Sequence, residues 1–172
     1  MVMWLSEDER AMWVRLASVV ELLPGAMDAQ LKRDADLSHF EYWVLSMLSE
    51  SPTRTLRMTQ LAAMTSATLS RLSHVVRRLE DRGFLTRYPC AEDGRATETR
   101  LTDAGWDKVV ASAPGHVEMV RTLVLDPLTG KQIAQLEEIA DRILRRLNPD
   151  AAEAAVRVTQ RAPRGGETPQ RD

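Results

Sequence analysis

Two helical stretches separated by a very short gap constrain the fold more than any other feature of this chain. MTQLAAM begins at Met58, and the second stretch, SATLSRLSHVVRRLEDRG, ends at Gly83. Apolar residues recur at helical intervals in both stretches. The break between them falls at Thr65 and at Ser66, the first residue of the second stretch. Ser66 is a suitable N-cap for the second helix, and Gly83 stands where helices commonly end in a left-handed conformation. The pattern predicts two helices joined by a tight turn.

The second of these helices carries an apolar face and a basic face. Turned at 100° per residue, its apolar positions fall on one side and its polar and basic positions on the other. The apolar face comprises Leu69, Leu72, Val76 and Leu79, and the opposite face comprises Ala67, Ser70, Arg71, His74, Arg77 and Arg78. A solvent-exposed charged surface has the same composition, so the helix alone leaves open whether it binds an anionic partner.

A β-hairpin is predicted directly after the basic helix. Residues 84–88 have the aromatic, β-branched and charged composition of a short strand, which Pro89 ends, and residues 97–101 are its predicted partner. The Asp93 and Gly94 pair between them is a turn signal. A helix fits the major groove of DNA and a hairpin can support it from the side, so this order of elements predicts a winged helix-turn-helix.

The segment before this region predicts two helices. Ser6 with Glu9 and Ser38 with Glu41 both have the spacing of a capping box, in which each residue's side chain bonds the other's backbone. Both pairs precede apolar residues at helical intervals, so a helix is expected to start at each. Pro24 is expected to kink the first helix, because proline lacks a backbone donor.

The C-terminal part predicts two more long helices. Thr102 can cap a helix from residue 103 to about 124, and Thr129 with Gln132 forms another capping box. In the last long helix, apolar residues alternate three and four apart, as in helices that pack along other helices. These residues are Ile133, Leu136, Ala140, Ile143 and Leu147. The apolar stripes at both ends of the chain favour a dimer, although they could also pack on each other within one subunit.

These predictions divide the chain into four regions. Residues 1–34 are an N-terminal dimerisation helix kinked near Pro24, residues 35–102 a winged helix-turn-helix, and residues 103–148 the C-terminal dimerisation helices. Residues 149–172 are a short helix followed by a disordered tail, since RAPRGGETPQRD is polar and rich in proline and glycine. The expected fold class is mainly α with a small β-hairpin wing (α+β).

Charge is distributed unevenly along the chain. The net charge is −2, but residues 54–100 contain nine arginines against five acidic residues. The rest of the chain contains 14 basic and 20 acidic residues. A basic middle between acidic flanks favours a localised anionic partner.

Other classes of protein find no support in the sequence. No run approaches the roughly 18–20 apolar residues of a membrane span, and the acidic start differs from a secretory signal, so we expect a cytoplasmic protein without membrane contact. With a single cysteine, Cys90, and with His39, His74 and His116 far apart, we expect neither a metal site nor a cofactor. We expect no enzyme, because the sequence has no nucleophile elbow, phosphate loop or dinucleotide fingerprint.

Three stretches, within residues 4–147, resemble the MarR family of transcriptional regulators. Residues 58–87 look like the family's helix-turn-helix and first wing strand, and residues 128–147 look like its terminal dimerisation helix. The third stretch looks like the wing signature and is the most specific of the three. It consists of Asp93, Gly94 and Arg95, followed by Leu101, Thr102 and Gly105.

The resemblance implies an obligate homodimer in which each winged domain reads half of a near-palindromic operator in double-stranded DNA. Such a protein is a sequence-specific transcriptional regulator, expected here to be a repressor. The matching positions assign base-edge or phosphate contacts to Ser66, Thr68, Ser70, Arg71, His74 and Arg77, and minor-groove insertion to Arg95. Asp93 is expected to support the wing, unless it is an ordinary turn residue.

The family also includes members that release DNA when a small aromatic compound binds. Trp13, His39, Trp43 and Met47 lie on the first two helices, where the family's ligand cleft lies, although large apolar residues at helical spacing are more often core. Two alternatives stay open at this point. The winged helix could bind proteins instead of DNA, or Cys90 could sense oxidants.

Overall fold

Seven helices and a small antiparallel sheet form the part of the chain that this computed structural model describes, residues 3–90 and 96–161. The helices are α1 (Glu7–Ala35), α2 (His39–Ser49), α3 (Met58–Met64), α4 (Leu69–Asp81), α5 (Asp103–Val120), α6 (Gly130–Leu147) and α7 (Pro149–Arg161). The strands are β1 (Thr55–Arg57), β2 (Leu85–Pro89) and β3 (Thr97–Leu101), and a π-helical turn, Arg121–Leu125, continues α5. The prediction of a mainly α fold with a small β-sheet is confirmed.

Capping boxes begin the helices where the sequence predicts them. At the start of α2, the backbone N–H of Ser38 donates to Glu41 Oε2 at 2.8 Å, and the backbone N–H of Glu41 donates to the Ser38 hydroxyl at 3.2 Å. The same reciprocal pair begins α6 between Thr129 and Gln132, with distances of 2.9 and 3.3 Å. Each box satisfies two backbone donors that a helix start otherwise leaves unpaired.

α1 is one uninterrupted helix of 29 residues that continues through Pro24. Pro24 is exposed, so water can satisfy the carbonyl group that loses its amide partner there. Proline therefore does not end the helix, which stops at Asp36 in a left-handed conformation with φ of 50°. The buried residues of α1 begin at Met27, so the rest of the described chain covers little of its N-terminal half.

The turn between α3 and α4 differs from the prediction in its cap. Thr68, not Ser66, is the N-cap of α4, and its hydroxyl accepts from the backbone N–H of Arg71 at 3.2 Å. Ser66 has a positive φ of 51°, whereas an N-cap residue adopts an extended conformation. The helix therefore starts two residues later than a cap at Ser66 would place it. The buried Thr65 hydroxyl closes the turn by donating to the Leu61 carbonyl at 2.7 Å.

The wing sheet has three strands instead of the two that the sequence predicts. β3 lies in the middle, with β1 and β2 antiparallel on either side. Arg100 of β3 pairs with Thr55 on one side and Thr86 on the other. β1 covers the second edge of β3, which would otherwise expose unpaired backbone groups. The prediction missed β1 because three residues are too few to show a strand periodicity.

Most of the predicted apolar face of α4 is confirmed, with one correction. Leu72, Val76 and Leu79 are fully buried, but Leu69 is 49% exposed, and Val75 joins the buried face instead. Leu69 is the first residue of α4 and lines an open surface cleft beside Met58 and Thr59 of α3. The core formed by α2, α3, α4 and the sheet fixes which face of α4 is directed outward.

A close backbone contact joins the wing to α5. The Thr102 hydroxyl donates to the Gly83 carbonyl at 2.8 Å, and the Thr102 backbone N–H donates to the Phe84 carbonyl at 3.1 Å. A Cβ atom at Gly105 would lie 2.0 Å from the Phe84 carbonyl oxygen, so only glycine fits there. Gly83 itself has a φ of 75°, as predicted for the residue that follows the end of α4.

α6 and α7 form the end of the described chain. α6 has no buried residue. α7 contacts both α3 and α6, with Ala151, Ala152 and Ala154 buried. The predicted short helix after residue 149 is present as α7, which includes Arg161, the first residue of the predicted tail, and the rest of that tail, residues 162–172, lies outside the described residues. Within residues 3–90 and 96–161, no helix combines the length and the apolar character needed to cross a membrane.

Candidate nucleic-acid interface

The outer face of α4 presents polar and basic side chains to solvent. Its inner residues are buried in the core, and the 100° rotation per residue directs the intervening positions outward. The exposed residues of this face are Ser70, Arg71, His74, Arg77 and Arg78. Ser66 and Thr68 are exposed in the turn that precedes the helix. The fold thus brings together on one surface all six residues that the sequence predicts at the major groove.

Two ion pairs fix α4 against the end of α1 and the start of α2. Arg78 Nη2 lies 3.3 Å from Glu41 Oε1, and the Glu41 side chain is only 10% exposed. Arg82 Nη2 lies 3.1 Å from Asp36 Oδ2 and donates to the Asp36 carbonyl at 2.8 Å. These contacts hold the C-terminal half of α4, while its N-terminal half remains open to a partner.

Near its N-terminus, α4 contacts α2 through an aromatic ring. The guanidinium carbon of Arg71 lies 4.2 Å from the centroid of the Phe40 ring, a cation–π distance. Phe40 itself is partly buried against the core. Thr68 has its hydroxyl engaged as the cap of α4, so its oxygen is already an acceptor within the chain.

The wing is held beside α4 by one bidentate contact. Glu80 accepts from the backbone N–H of Arg87 at 3.0 Å and from Arg87 Nε at 2.8 Å. The hydrogen bond from the Arg87 side chain is the main cause that lowers the pKa of Glu80 below its usual value. The charged pair therefore anchors β2 to the last turn of α4. Asp93 and Arg95 lie outside the described residues, and their roles stay predictions.

A separate cleft of about 280 Å³ opens between α2 and α5. Of the four residues that the sequence predicts for a ligand cleft, His39, Trp43 and Met47 line it, together with Tyr42, Ser46 and His116. Trp13 does not line it and is 55% exposed. Trp13 precedes the buried part of α1 by 14 residues, about 20 Å along a helix, so a single chain does not bring this residue to the cleft.

Aromatic rings line the cleft: His39 stacks with Trp43 and His116, and Tyr42 is tilted against His116. The ring of His116 lies 4.6 Å from that of Tyr42 and 6.1 Å from that of His39. Burial lowers the pKa of both histidines, and their mutual repulsion lowers that of His116 further. His116 Nδ1 and Gln30 Oε1 are buried without a hydrogen-bond partner in the described part of the chain. Burial therefore favours the neutral form of both histidines, and the cleft combines aromatic rings with polar atoms.

Comparisons with known proteins agree with this geometry. The model of the MarR family matches residues 35–96, from the end of α1 into the wing. The structure of Sco3205, a MarR-family transcriptional regulator from Streptomyces coelicolor solved in complex with DNA, is 42% identical to this chain. It superposes with a TM-score of 0.82 over 85% of this chain and 95% of its own. The chain belongs to the MarR family.

Two HTH-type transcriptional regulators of Bacillus subtilis are similar to this MarR-family chain in sequence. YdcH is 32% identical over 83 residues, which are 46% of this chain and 55% of YdcH. YfiV is 30% identical over 123 residues, which are 70% of this chain and 74% of YfiV. The chain thus spans little more than half the length of YdcH and about three quarters of YfiV.

Family membership makes the protein a winged-helix transcriptional regulator. The relatives are regulators and not enzymes. Within the described ranges, no group of three or more histidine, cysteine or acidic side chains could hold a metal ion. The outer face of α4 is therefore the candidate DNA-binding surface of this regulator.

Several residues of the two sites were not found from the sequence. Tyr42 and Ser46 share a face of α2 with His39 and Trp43, so their three- and four-residue spacing could have assigned them to the cleft. His116 carries no such signal, because it reaches the cleft only through the packing of α5 against α2.

Proposed function

We propose that this MarR-family regulator is a homodimeric repressor that binds a near-palindromic DNA operator through α4 and the wing. The observation that carries the proposal is the outward face of α4, where Ser70, Arg71, His74 and Arg77 are exposed together opposite the side of the helix that is buried in the core. Sco3205, which shares this fold at 42% identity, was solved in complex with DNA. A bound dimer blocks the DNA that it covers, which favours repression over activation.

The side chains on this surface suit different parts of a DNA duplex. Arg71 is assigned to a guanine edge, because a guanidinium can donate two parallel hydrogen bonds to guanine O6 and N7. Ser70 and His74 are assigned to base edges or phosphates, and Arg77 to a phosphate. Ser66 and Thr68 lie at the N-terminus of α4, where backbone N–H groups favour phosphate.

The wing adds a contact that the sequence predicts. Arg95 is assigned to the minor groove beside the half-site, with Asp93 supporting it through a charge-assisted hydrogen bond. Substitution Arg95→Ala is expected to weaken operator binding strongly while leaving Tm unchanged. An unchanged midpoint in a gel-shift titration would remove Arg95 from the interface.

Exposed apolar surface supports the homodimer. In the single chain, large side chains remain exposed on the N-terminal half of α1 and along α6. They include Trp13, Val19 and Val20 on the first segment, with Trp4 just before it, and Ile133, Leu136, Ile139, Ile143 and Leu147 on the second. A surface this apolar is typical of an interface, and a two-fold dimer would present two α4 helices to two half-sites.

The cleft between α2 and α5 is proposed to bind a small aromatic effector that releases DNA. Its volume of about 280 Å³ suits a single aromatic ring with small substituents, and its aromatic lining favours a flat ligand. Because α2 also contacts Arg71 and Arg78 of α4, a ligand that displaces α2 would alter the DNA-reading surface.

Selection of bound sequences from random duplex DNA tests the proposal. The purified protein is expected to enrich one motif with two-fold symmetry, and the affinity for that motif is expected to fall steeply with salt because phosphate contacts release counterions. A winged helix that binds proteins through an apolar surface would enrich no motif. That result would overturn the proposal.

The burial of Cys90 argues against redox sensing by this residue. The thiol is 4% exposed, and its Sγ lies 3.5 Å from Glu98 Oε1. Oxidation of a cysteine requires that the oxidant reach the sulfur, and this thiol is almost fully buried. Peroxide treatment is therefore expected to leave both Cys90 and DNA binding unchanged, which mass spectrometry and a gel shift can check.

A further inference from the structure

Arg71 and Phe40 are arranged so that the arginine can stack and donate at the same time. The guanidinium carbon of Arg71 lies 4.2 Å from the centroid of the Phe40 ring, and the Arg71 side chain is nevertheless exposed. A guanidinium attracts an aromatic ring through its flat face, whereas its N–H donors point outward in its own plane. The Phe40 ring therefore covers one flat face of the Arg71 guanidinium, which does not bond to guanine. The N–H donors in the guanidinium plane remain free to bind a base.

The other arginines on the outward side of α4 lack this arrangement. Arg78 is paired with Glu41. Arg77 makes no ring contact and no ion pair within the described residues, although its charge acts on the nearby Glu80 carboxylate. A free arginine side chain samples many rotamers, and fixing them on binding costs conformational entropy. Among Arg71, Arg77 and Arg78, Arg71 is thus the arginine whose guanidinium is held by a ring while its N–H donors stay free for a base.

The support under Arg71 is itself rigid. Phe40 is the second residue of α2, and the capping box of Ser38 and Glu41 encloses it on both sides. Its ring is partly buried against the hydrophobic core. A change in the position of α2 would therefore move the ring and the guanidinium together.

We propose that Phe40 is a positioning residue for base reading, which holds the Arg71 guanidinium in the orientation that selects one base pair in each half-site. This inference rests on the proposed function, in which Arg71 contacts a guanine edge. Phe40 contributes to discrimination at that base pair and not to the general affinity for phosphates. Loss of the ring is expected to reduce discrimination there by about two- to five-fold, the range of an exposed cation–π contact.

The experiment repeats the selection from random DNA with matched variants. Wild type is compared with Phe40→Leu and Phe40→Met, which keep an apolar side chain without a ring, and with Phe40→Tyr, which restores the ring. Arg71→Ala identifies the base pair that Arg71 reads, and Arg77→Ala is the control for an outward arginine without a ring. Tm and circular dichroism select the ringless variant that keeps the wild-type fold.

The expected result is a loss confined to one position. Phe40→Leu or Phe40→Met weakens the sequence preference at the base pair that Arg71→Ala identifies. Phe40→Tyr keeps the preference at this base pair. Arg77→Ala also keeps it. In the double variant of Phe40→Leu with Arg71→Ala, loss of the ring adds nothing further. The inference is wrong if a folded ringless variant keeps the full preference at that base pair, or if its affinity falls equally for every sequence. If wild type itself enriches no motif, the proposed function fails and the inference with it.

Discussion

At the scale of single residues, Glu41 shows how one side chain can serve both the fold and the reading surface. Its Oε2 accepts from the Ser38 backbone N–H and completes the cap of α2, while its Oε1 lies 3.3 Å from Arg78 on α4. The two functions use different oxygens, so they can be separated by substitution. Glutamine can still form a capping box but cannot form an ion pair.

Glu41→Gln is therefore expected to destabilise the fold less than Glu41→Ala. The glutamine variant loses only the ion pair, at most about 1 kcal/mol because Arg78 stays hydrated, whereas alanine also loses the cap, for a total of about 2 kcal/mol. Urea unfolding of the two variants measures the difference. Glu9→Ala, which removes an exposed capping box on α1, is the control and should cost less than Glu41→Ala. Equal losses for both substitutions at Glu41 would contradict the assignment.

The two histidines of the cleft predict how stability depends on pH. Burial lowers the pKa of His39 and His116 below the usual value of 6.5. As pH falls, these two side chains therefore bind protons more readily in the unfolded chain than in the folded one. The free energy of unfolding is thus expected to be highest above pH 6.5 and to decrease below it. His116→Phe, which keeps a ring against Tyr42, should flatten this decrease, while the exposed His74→Gln is the control. Urea titrations between pH 5.5 and 8 test it, and an unchanged slope in His116→Phe would contradict it.

At the scale of elements, the joint between wing and α5 depends on the absence of a side chain. Gly105→Ala would place a Cβ atom 2.0 Å from the Phe84 carbonyl oxygen and 2.7 Å from Leu101 Cδ1, so backbone must move. We expect a loss of about 2–3 kcal/mol in the free energy of unfolding. Gly25→Ala is the control, since no atom lies within 4 Å of its Cβ position and alanine favours a helix. Thermal unfolding measures both variants. Equal Tm values for Gly105→Ala and Gly25→Ala would exclude the close contact between residue 105 and the Phe84 carbonyl.

The elements that the sequence predicts well are those set by neighbouring residues. The capping boxes of α2 and α6 act across three residues, so their positions are readable without the fold. The cap of α4 is less readable, because Ser66 and Thr68 both have the right chemistry and only the left-handed backbone at Ser66 decides between them. β1 depends on pairing with β3, more than 40 residues away, and no local pattern reports that partner.

The contacts that shape the two sites are likewise long-range. Phe40 meets Arg71, and His116 meets His39, only because α2 packs against both α4 and α5. The sequence could indicate which residue types face outward on α4, because helical periodicity decides that. The sequence could not indicate that Arg71 packs against the Phe40 ring, since this contact depends on the tertiary arrangement of α2 and α4.

At the scale of the whole molecule, the apolar surface left by a single chain is its most unusual property. Ile139 on α6 is 53% exposed, although α6 has a strongly apolar side and a charged side. In the proposed dimer this apolar side is covered by the partner, so each α4 is held at a fixed distance from the other. Operator affinity then depends on the dimer. Once one winged domain of a dimer is bound, the second binds its half-site with a smaller loss of entropy than a separate monomer would.

Ile139→Glu is expected to separate the dimer without unfolding the winged domain. A carboxylate at the centre of an apolar interface loses hydration without gaining a partner, which costs several kcal/mol. Sedimentation should show a particle near 19.3 kDa instead of twice that mass, and operator affinity should fall at least tenfold while the helical circular dichroism is retained. Ala134→Glu adds the same charge on the opposite side of α6 and should remain dimeric with unchanged affinity. A dimeric Ile139→Glu protein would show that α6 does not form the interface.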